Sequence, residues 1–246
     1  MAGKEDLKLL GSSSPMAGKE YLKLLGLPVS PFAIRAQMVL NIKGLSYEYI
    51  EQDFFNKSQL LRISNPVYKK VPVLIHNARP ICESLIIVEY VDQTFVTATP
   101  PILLAHPYER AIVKFWAAYI DNKMFPNWMG IIKATTLDAK LEMVKQSYAK
   151  MKHMEDIFTS WSNGKDFFGG DSIGYLDLTL GSFLFLFKTI HNMFGVDIIN
   201  ADNTPLLAMW ARRFMETKTS KDVAPDENRI EEHVKKAYRG AASSAL

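Results

Sequence analysis

The pattern of apolar and polar positions changes character once along the chain. Up to about residue 95, short apolar runs of strand length are interleaved with helical spacing; beyond residue 107 the spacing is helical throughout. In the first part, residues 21–25 form an apolar run that predicts a strand. Phe32, Ala36, Val39 and Leu40 then recur at helical intervals. Ser30 and Pro31 open that helix, because serine is favoured at an N-cap and proline in a first turn, and Gly44 closes it. Residues 47–50 alternate like a second strand. Residues 71–75 and 80–81 flank a short turn at 76–79, the pattern of a hairpin, and residues 83–95 read as another helix. The order strand, helix, strand, irregular link, strand, strand, helix predicts a small α/β layer structure over residues 16–95.

Residues 96–107, rich in Pro, Thr and Ala and without periodicity, read as a linker. After them, helices are expected over residues 108–125, 136–161, 175–194, 205–217 and 227–238, with no strand between. The second domain, residues 108–240, is therefore expected to be all helical, with 241–246 as a tail. Ile173, Gly174 and Asp177 set an apolar residue before an N-cap and a carboxylate three residues into the helix. This is a hydrophobic staple with half a capping box, suited to starting a core helix.

One segment is written twice: residues 1–11 read MAGKEDLKLLG and residues 16–26 read MAGKEYLKLLG. Only one copy can lead into the first helix as a core strand. Asp6, where the second copy has Tyr21, lowers strand propensity in the first. Residues 1–15 are therefore expected to be a disordered extension.

Composition narrows the chemistry. With 246 residues and 48% hydrophobic positions, the chain supports a sizeable core. A net charge of +3 with scattered Lys and Arg gives no footprint for nucleic acid. The most apolar stretch, 176–187, contains Asp177 and is too short to span a bilayer, so no membrane partner is expected. Cys82 is the sole cysteine, which removes internal disulfides and Cys-x-x-Cys pairs and fits a reducing compartment, the cytosol. The five histidines form no ligand-spaced cluster, so no metal is expected.

Four places carry candidate chemistry. Ser30, at a helix N-terminus, lies where free N–H groups and the positive dipole end favour an anion such as a thiolate. A thiol of pKa about 8.5 is little ionised at neutral pH, and a hydroxyl hydrogen bond to the sulfur favours the charged form. Taken as a tripeptide, Ser-Pro-Phe is equally an ordinary N-cap. Val71-Pro72 follows Lys69 and Lys70; a cis peptide there would free the Val71 backbone to pair with an extended peptide ligand, while a proline on an edge strand is the plain alternative. Glu83 and Ser84 open a helix, so hydroxyl and N–H suit a carboxylate and Glu83 an ammonium, although a simple capped helix start explains them too. Lys57, in the irregular link, is a candidate cation for a second carboxylate, with Lys70 as another.

Taken together, Ser30 to Phe32, Asn56 to Ser58, Asn65-Pro-Val-Tyr-Lys-Lys-Val-Pro-Val73 and Glu83-Ser84 resemble the tau-class glutathione transferases of plants. Pro107-Tyr-Glu-Arg110, the run from Phe115 to Asp121 and the run from Phe167 to Asp177 continue the likeness through the helical part. The resemblance implies a thioredoxin-like N-terminal domain and an all-α C-terminal domain, with glutathione as co-substrate and no further cofactor. It implies that Ser30 hydrogen-bonds the thiolate and Lys57 the glycine carboxylate. It further implies that Val71, before Pro72, pairs through its backbone with the cysteinyl unit, and that Glu83 and Ser84 hold the γ-glutamyl end. It also implies a homodimer whose helical domain takes a hydrophobic electrophile, with Phe32, Met124, Phe125 and Trp128 and residues near Tyr238 as candidates for that site. Leu27-Pro28-Val29 departs from the family, as does Ala78 in the hairpin turn, where glycine is usual.

Two other functions fit the same scaffold. A carrier for apolar acids or hormones would bind glutathione with little turnover. A thiol-disulfide reductase would need a cysteine where Ser30 stands, because a hydroxyl forms no mixed disulfide.

Overall fold

The computed structural model describes residues 21–96 and 99–238. The first copy of the duplicated segment and the tail at 241–246 lie outside the described residues. The chain divides after Thr99 into two compact units.

The first unit carries a four-stranded sheet of order β2-β1-β3-β4, made of β1 (Leu22–Gly26), β2 (Glu48–Glu51), β3 (Val73–His76) and β4 (Arg79–Cys82). β1 runs parallel to β2 and antiparallel to β3, and β3 is antiparallel to β4. Between and after the strands come α1 (Pro31–Ile42), α2 (Gln59–Ser64) and α3 (Ser84–Thr94). α1 packs along α3. Their apolar faces, with Ala33, Ile34, Met38 and Val39 on one and Ile87, Val88 and Val91 on the other, are buried. A buried ion pair, Lys43 Nζ to Asp92 Oδ1 at 2.7 Å, ties the end of α1 to α3.

The link between β2 and β3, which reads as irregular, contains α2. Its N-cap is Ser58, whose side chain accepts from Leu61 N. At six residues, α2 is too short to register as a helical period. The β3–β4 turn consists of Asn77 (φ 47°) and Ala78 (φ 65°), both left-handed, as a two-residue type I′ turn requires.

The second unit holds α4 (Pro107–Tyr119), a π-helical turn (Ile120–Met124), α5 (Phe125–Lys133), α6 (Leu137–Ser162), α7 (Tyr175–Gly181), α8 (Leu184–Phe194), α9 (Pro205–Glu216), the short α10 (Lys218–Lys221) and α11 (Glu227–Ala237). Two expectations need correction. The helix expected to end at 125 continues as α5. Pro126 has no N–H for the carbonyl four residues back, and the ladder widens into a π turn just upstream instead of stopping. The helix expected over 175–194 is broken between α7 and α8. There Ser182 Oγ donates to Thr179 O at 3.0 Å, Thr179 Oγ1 donates to Tyr175 O at 2.7 Å, and Gly181 supplies a weak point. That glycine is required by packing, since a Cβ on it would lie 2.4 Å from the Phe214 ring.

α7 starts as its sequence implies, and its acid does more than cap. The Asp177 side chain is fully buried. It accepts from Gly174 N (2.8 Å), Gly169 N (3.0 Å), Phe168 N (3.0 Å) and Trp210 Nε1 (2.7 Å), joining the loop before α7 to α9. Burial pushes its carboxyl up to about 6, against the pull of these four donors. Glu155 on α6 similarly holds the start of α9, its two oxygens accepting from Leu206 N and Leu207 N at 2.9 Å each. Among the described residues, no helix is long and apolar enough to cross a membrane.

Candidate functional site

Sheet register assembles the site of the first unit. β1 and β4 point the same way, and Val73 pairs with Leu25 on one side and Cys82 on the other. The segments just beyond this row therefore share one edge of the sheet. They are the loop from Gly26 to Ser30, the Val71-Pro72 pair and Glu83-Ser84. β2 ends at the same edge, with Glu51 opposite Gly26, so the chain leads from there to Lys57. Segments far apart in sequence are thus brought together by strand pairing alone.

Ser30 is the N-cap residue of α1, half-buried, with φ −84° and ψ 119°. Its main chain is anchored, Ser30 N donating to Leu27 O and Ser30 O accepting from Ile34 N, both at 2.9 Å. Its side chain makes no capping hydrogen bond. Ser58, Thr136, Thr217 and Asp226 in this chain all cap their helices through side-chain oxygens. Ser30 thus holds the N-cap position without using its hydroxyl to cap the helix.

Glu83 stands at the start of α3 with φ 70° and ψ 120°, a backbone conformation that costs a non-glycine residue about 1–3 kcal/mol. Glu83 is exposed, while Ser84 is buried. Ser84 Oγ accepts a hydrogen bond from Arg35 Nη1 at 2.9 Å. Arg35 has no solvent-accessible surface, and its guanidinium lies 5.5 Å from the Phe32 ring centroid. The first turns of α1 and α3 are thereby locked together by a buried cation, which adds positive potential beside the two helix N-termini. Sequence reading passed over Arg35; the available signal was a single charged residue among the apolar positions of α1's core face.

Val71-Pro72 is cis. The strand begins after it, at Val73, so the proline does not interrupt a ladder. Val71 packs its side chain on the Leu25, Leu61, Val73 and Ile75 cluster. The turn before it is held by Asn65, which is buried: Asn65 Nδ2 donates to Lys70 O at 3.0 Å, and Asn65 Oδ1 accepts from Tyr68 N at 3.1 Å. Lys70 is exposed and Lys57 half-buried. The Lys57 loop is fixed by Asp53 Oδ1, which accepts from Phe55 N and Asn56 N, and by Ser58 Oγ, which donates to buried Gln52 at 2.6 Å. Cys82 is partly buried, and burial and the nearby Glu83 charge raise its thiol, which keeps it protonated.

Of the side chains proposed to line a hydrophobic site, Phe32 is half-buried on α1. In the helical unit, Met124 and Trp128 have no exposed surface, and Trp128 Nε1 donates to Ser147 Oγ at 3.0 Å. Both are core side chains in this structure. Phe125 is half-buried, its ring 5.4 Å from that of Phe183. Among the described residues, no group of three His, Cys, Asp or Glu side chains is placed to hold a metal ion.

Comparison with known proteins agrees with this fold. Residues 24–99 match the family model of the glutathione S-transferase N-terminal domain. The chain is 42% identical to glutathione S-transferase U16 of Arabidopsis thaliana over 246 residues, covering 100% of this chain and 99% of the relative. It is 43% identical to the probable glutathione S-transferase GSTU6 of Oryza sativa subsp. japonica over 250 residues, covering 100% of each. The solved tau-class glutathione S-transferase MiGSTU of mango, Mangifera indica, superposes with a TM-score of 0.83 at 46% identity, covering 87% of this chain and 97% of that one. A rice enzyme, OsGSTU1, solved in complex with glutathione, gives 0.81 at 31% identity, covering 91% and 98%. The chain belongs to the tau class of plant glutathione S-transferases.

Proposed function

We propose that this enzyme conjugates glutathione to hydrophobic electrophiles, with Ser30 donating its hydroxyl hydrogen to the glutathione sulfur and so stabilising the thiolate. The observation that carries the reading is the uncommitted side chain of Ser30 at the N-terminus of a 12-residue helix. Dipole and hydroxyl act on the same sulfur, and together they supply about one to two pKa units. Ser30 is not a covalent nucleophile. The thiolate forms the new sulfur–carbon bond, and for an aryl halide the halide departs with the electron pair.

The shared sheet edge supports the other proposed roles. Glu83 and Ser84 face the α-amino and α-carboxyl ends of the γ-glutamyl group, with the carboxylate next to the α3 N-terminus and Arg35 behind Ser84. The Val71 main chain pairs with the cysteinyl unit, and Lys57, with Lys70 as second candidate, takes the glycine carboxylate. Phe32 and Phe125 remain the proposed apolar contacts for the electrophile. Active enzyme is proposed to be a cytosolic homodimer. The test is steady-state conjugation of an aryl halide by Ser30→Ala: kcat/KM is expected to fall about ten- to a hundredfold, equivalent to roughly 1.4–2.7 kcal/mol of transition-state stabilisation. An unchanged rate would remove Ser30 from the mechanism. Retained glutathione binding without turnover in the unmutated chain would point to a carrier.

A further inference from the structure

We propose that the helical unit carries a second binding site, for a small amphipathic organic cation, in the cleft bounded by the start of α4, the end of α6 and the loop after α6. The cleft has a volume of about 390 Å³, and Leu104, Glu109, Trp161, Asn163, Lys165 and Phe168 are among its lining residues. All of it lies within the second unit.

The cleft is pre-formed. α6 ends at Ser162, Asn163 takes a left-handed φ of 50°, and Lys165 N returns to Ser162 O at 2.9 Å. Phe167 and Gly170 exchange two backbone hydrogen bonds, at 3.0 and 2.9 Å. The buried Asp177 carboxylate fixes Phe168 N and Gly169 N from behind. The Phe168 ring is held edge-on against Phe158, with centroids 4.9 Å apart, and against Trp210 at 5.6 Å. A ligand therefore meets walls already in place, which removes much of the ordering cost of binding.

Apolar surface and charge then select the ligand. Leu104 and Trp161 are half-buried, presenting an aliphatic and an aromatic surface. Glu109 is exposed in the first turn of α4. The opposite wall is the C-terminus of the 26-residue α6, the negative end of its dipole. The cations in and beside the cleft have partners of their own. Lys165 Nζ lies 2.6 Å from Asp171 Oδ2, Arg110 donates to Leu104 O and Ala105 O at 3.0 Å each, and Arg213 pairs with Asp166. A carboxylate and a helix C-terminus facing an aromatic surface attract an ammonium group attached to a compact apolar body, and the indole adds cation–π attraction. An anion of the same shape meets the Glu109 carboxylate and the carbonyl end of α6.

The test uses the full chain and phenethylammonium as probe, with phenylacetate as its charge-reversed counterpart. Tryptophans are labelled with 15N at the indole nitrogen, so that four indole signals are observed, and Trp161→Phe assigns one of them. Phenethylammonium is expected to shift the Trp161 signal with a dissociation constant on the order of 1 mM, as suits so small a ligand. The shift is expected to weaken at least about fivefold in Glu109→Gln, an exposed position whose change leaves the core intact, and to be absent with phenylacetate. Equal response to both probes, an unaltered constant in Glu109→Gln, or shifts confined to the other three indoles would each overturn the proposal.

Discussion

At the proposed glutathione site, Ser30 is half-buried while Arg35 and Ser84 are buried. Ser30 keeps its hydroxyl free of the helix cap, while Ser84 is held by a guanidinium with no solvent contact. Ser84→Ala is expected to raise KM for glutathione about tenfold with a smaller change in kcat, because its proposed role is in ground-state binding of the γ-glutamyl carboxylate; substrate-saturation kinetics check this. Asp177 carries a different prediction. Asp177→Asn turns an amide N–H group toward backbone donors and is expected to cost about 2–4 kcal/mol at pH 7. Because the folded-state value is about 6, above the 3.8 of the free side chain, the folded form holds a proton that the unfolded form has released between those values. Wild type therefore gains stability relative to Asp177→Asn as pH falls from 7 towards 4, by up to roughly 3 kcal/mol. Urea unfolding of both proteins at pH 7 and pH 5 measures the difference, and a gap that narrows at pH 5 contradicts the assignment. At this scale Ser30, Glu83 and Asp177 were legible because helix starts announce themselves through particular residue types. Arg35 and Trp210 were not, because their partners lie 49 and 33 positions away and no local spacing records them.

Elements with a strong period and a marked start were readable: α1 behind Ser-Pro, α6 behind Thr136, and the hairpin of β3 and β4. Those that escaped were set by competing local effects. Pro126 widens the helix into a π turn where proline usually signals an end, hydroxyls and Gly181 interrupt the α7–α8 run, and α2 spans fewer than two turns. The hairpin turn gives a direct stability prediction. Ala78 sits at φ 65°, where a Cβ is strained and glycine is not. Ala78→Gly is expected to stabilise the protein by about 0.5–1 kcal/mol, read from the urea midpoint at constant slope. A loss of stability would mean that the Ala78 side chain, which packs on the sheet cluster, outweighs the backbone strain.

Over the whole molecule, one change of sequence period separates a sheet-containing unit from a helical one, and the division after Thr99 falls within the stretch of 96–107 that lacks any period. The LKLLG of β1 belongs to the second copy of the duplicated segment. Starting the chain at Met16 is therefore expected to leave kcat/KM unchanged within about twofold, as parallel kinetics of the two lengths check. The central claim concerns the sulfur of glutathione bound at the N-terminus of α1, and its thiol pKa is the measurement that tests it most directly. Thiolate absorbance of the glutathione complex, followed in the ultraviolet across pH, is expected to give a value about one to two units below the free thiol's roughly 8.5, moving back up in Ser30→Ala. A complex of the unmutated chain that titrates like free glutathione, or a Ser30→Ala complex that titrates like the unmutated one, would contradict the account.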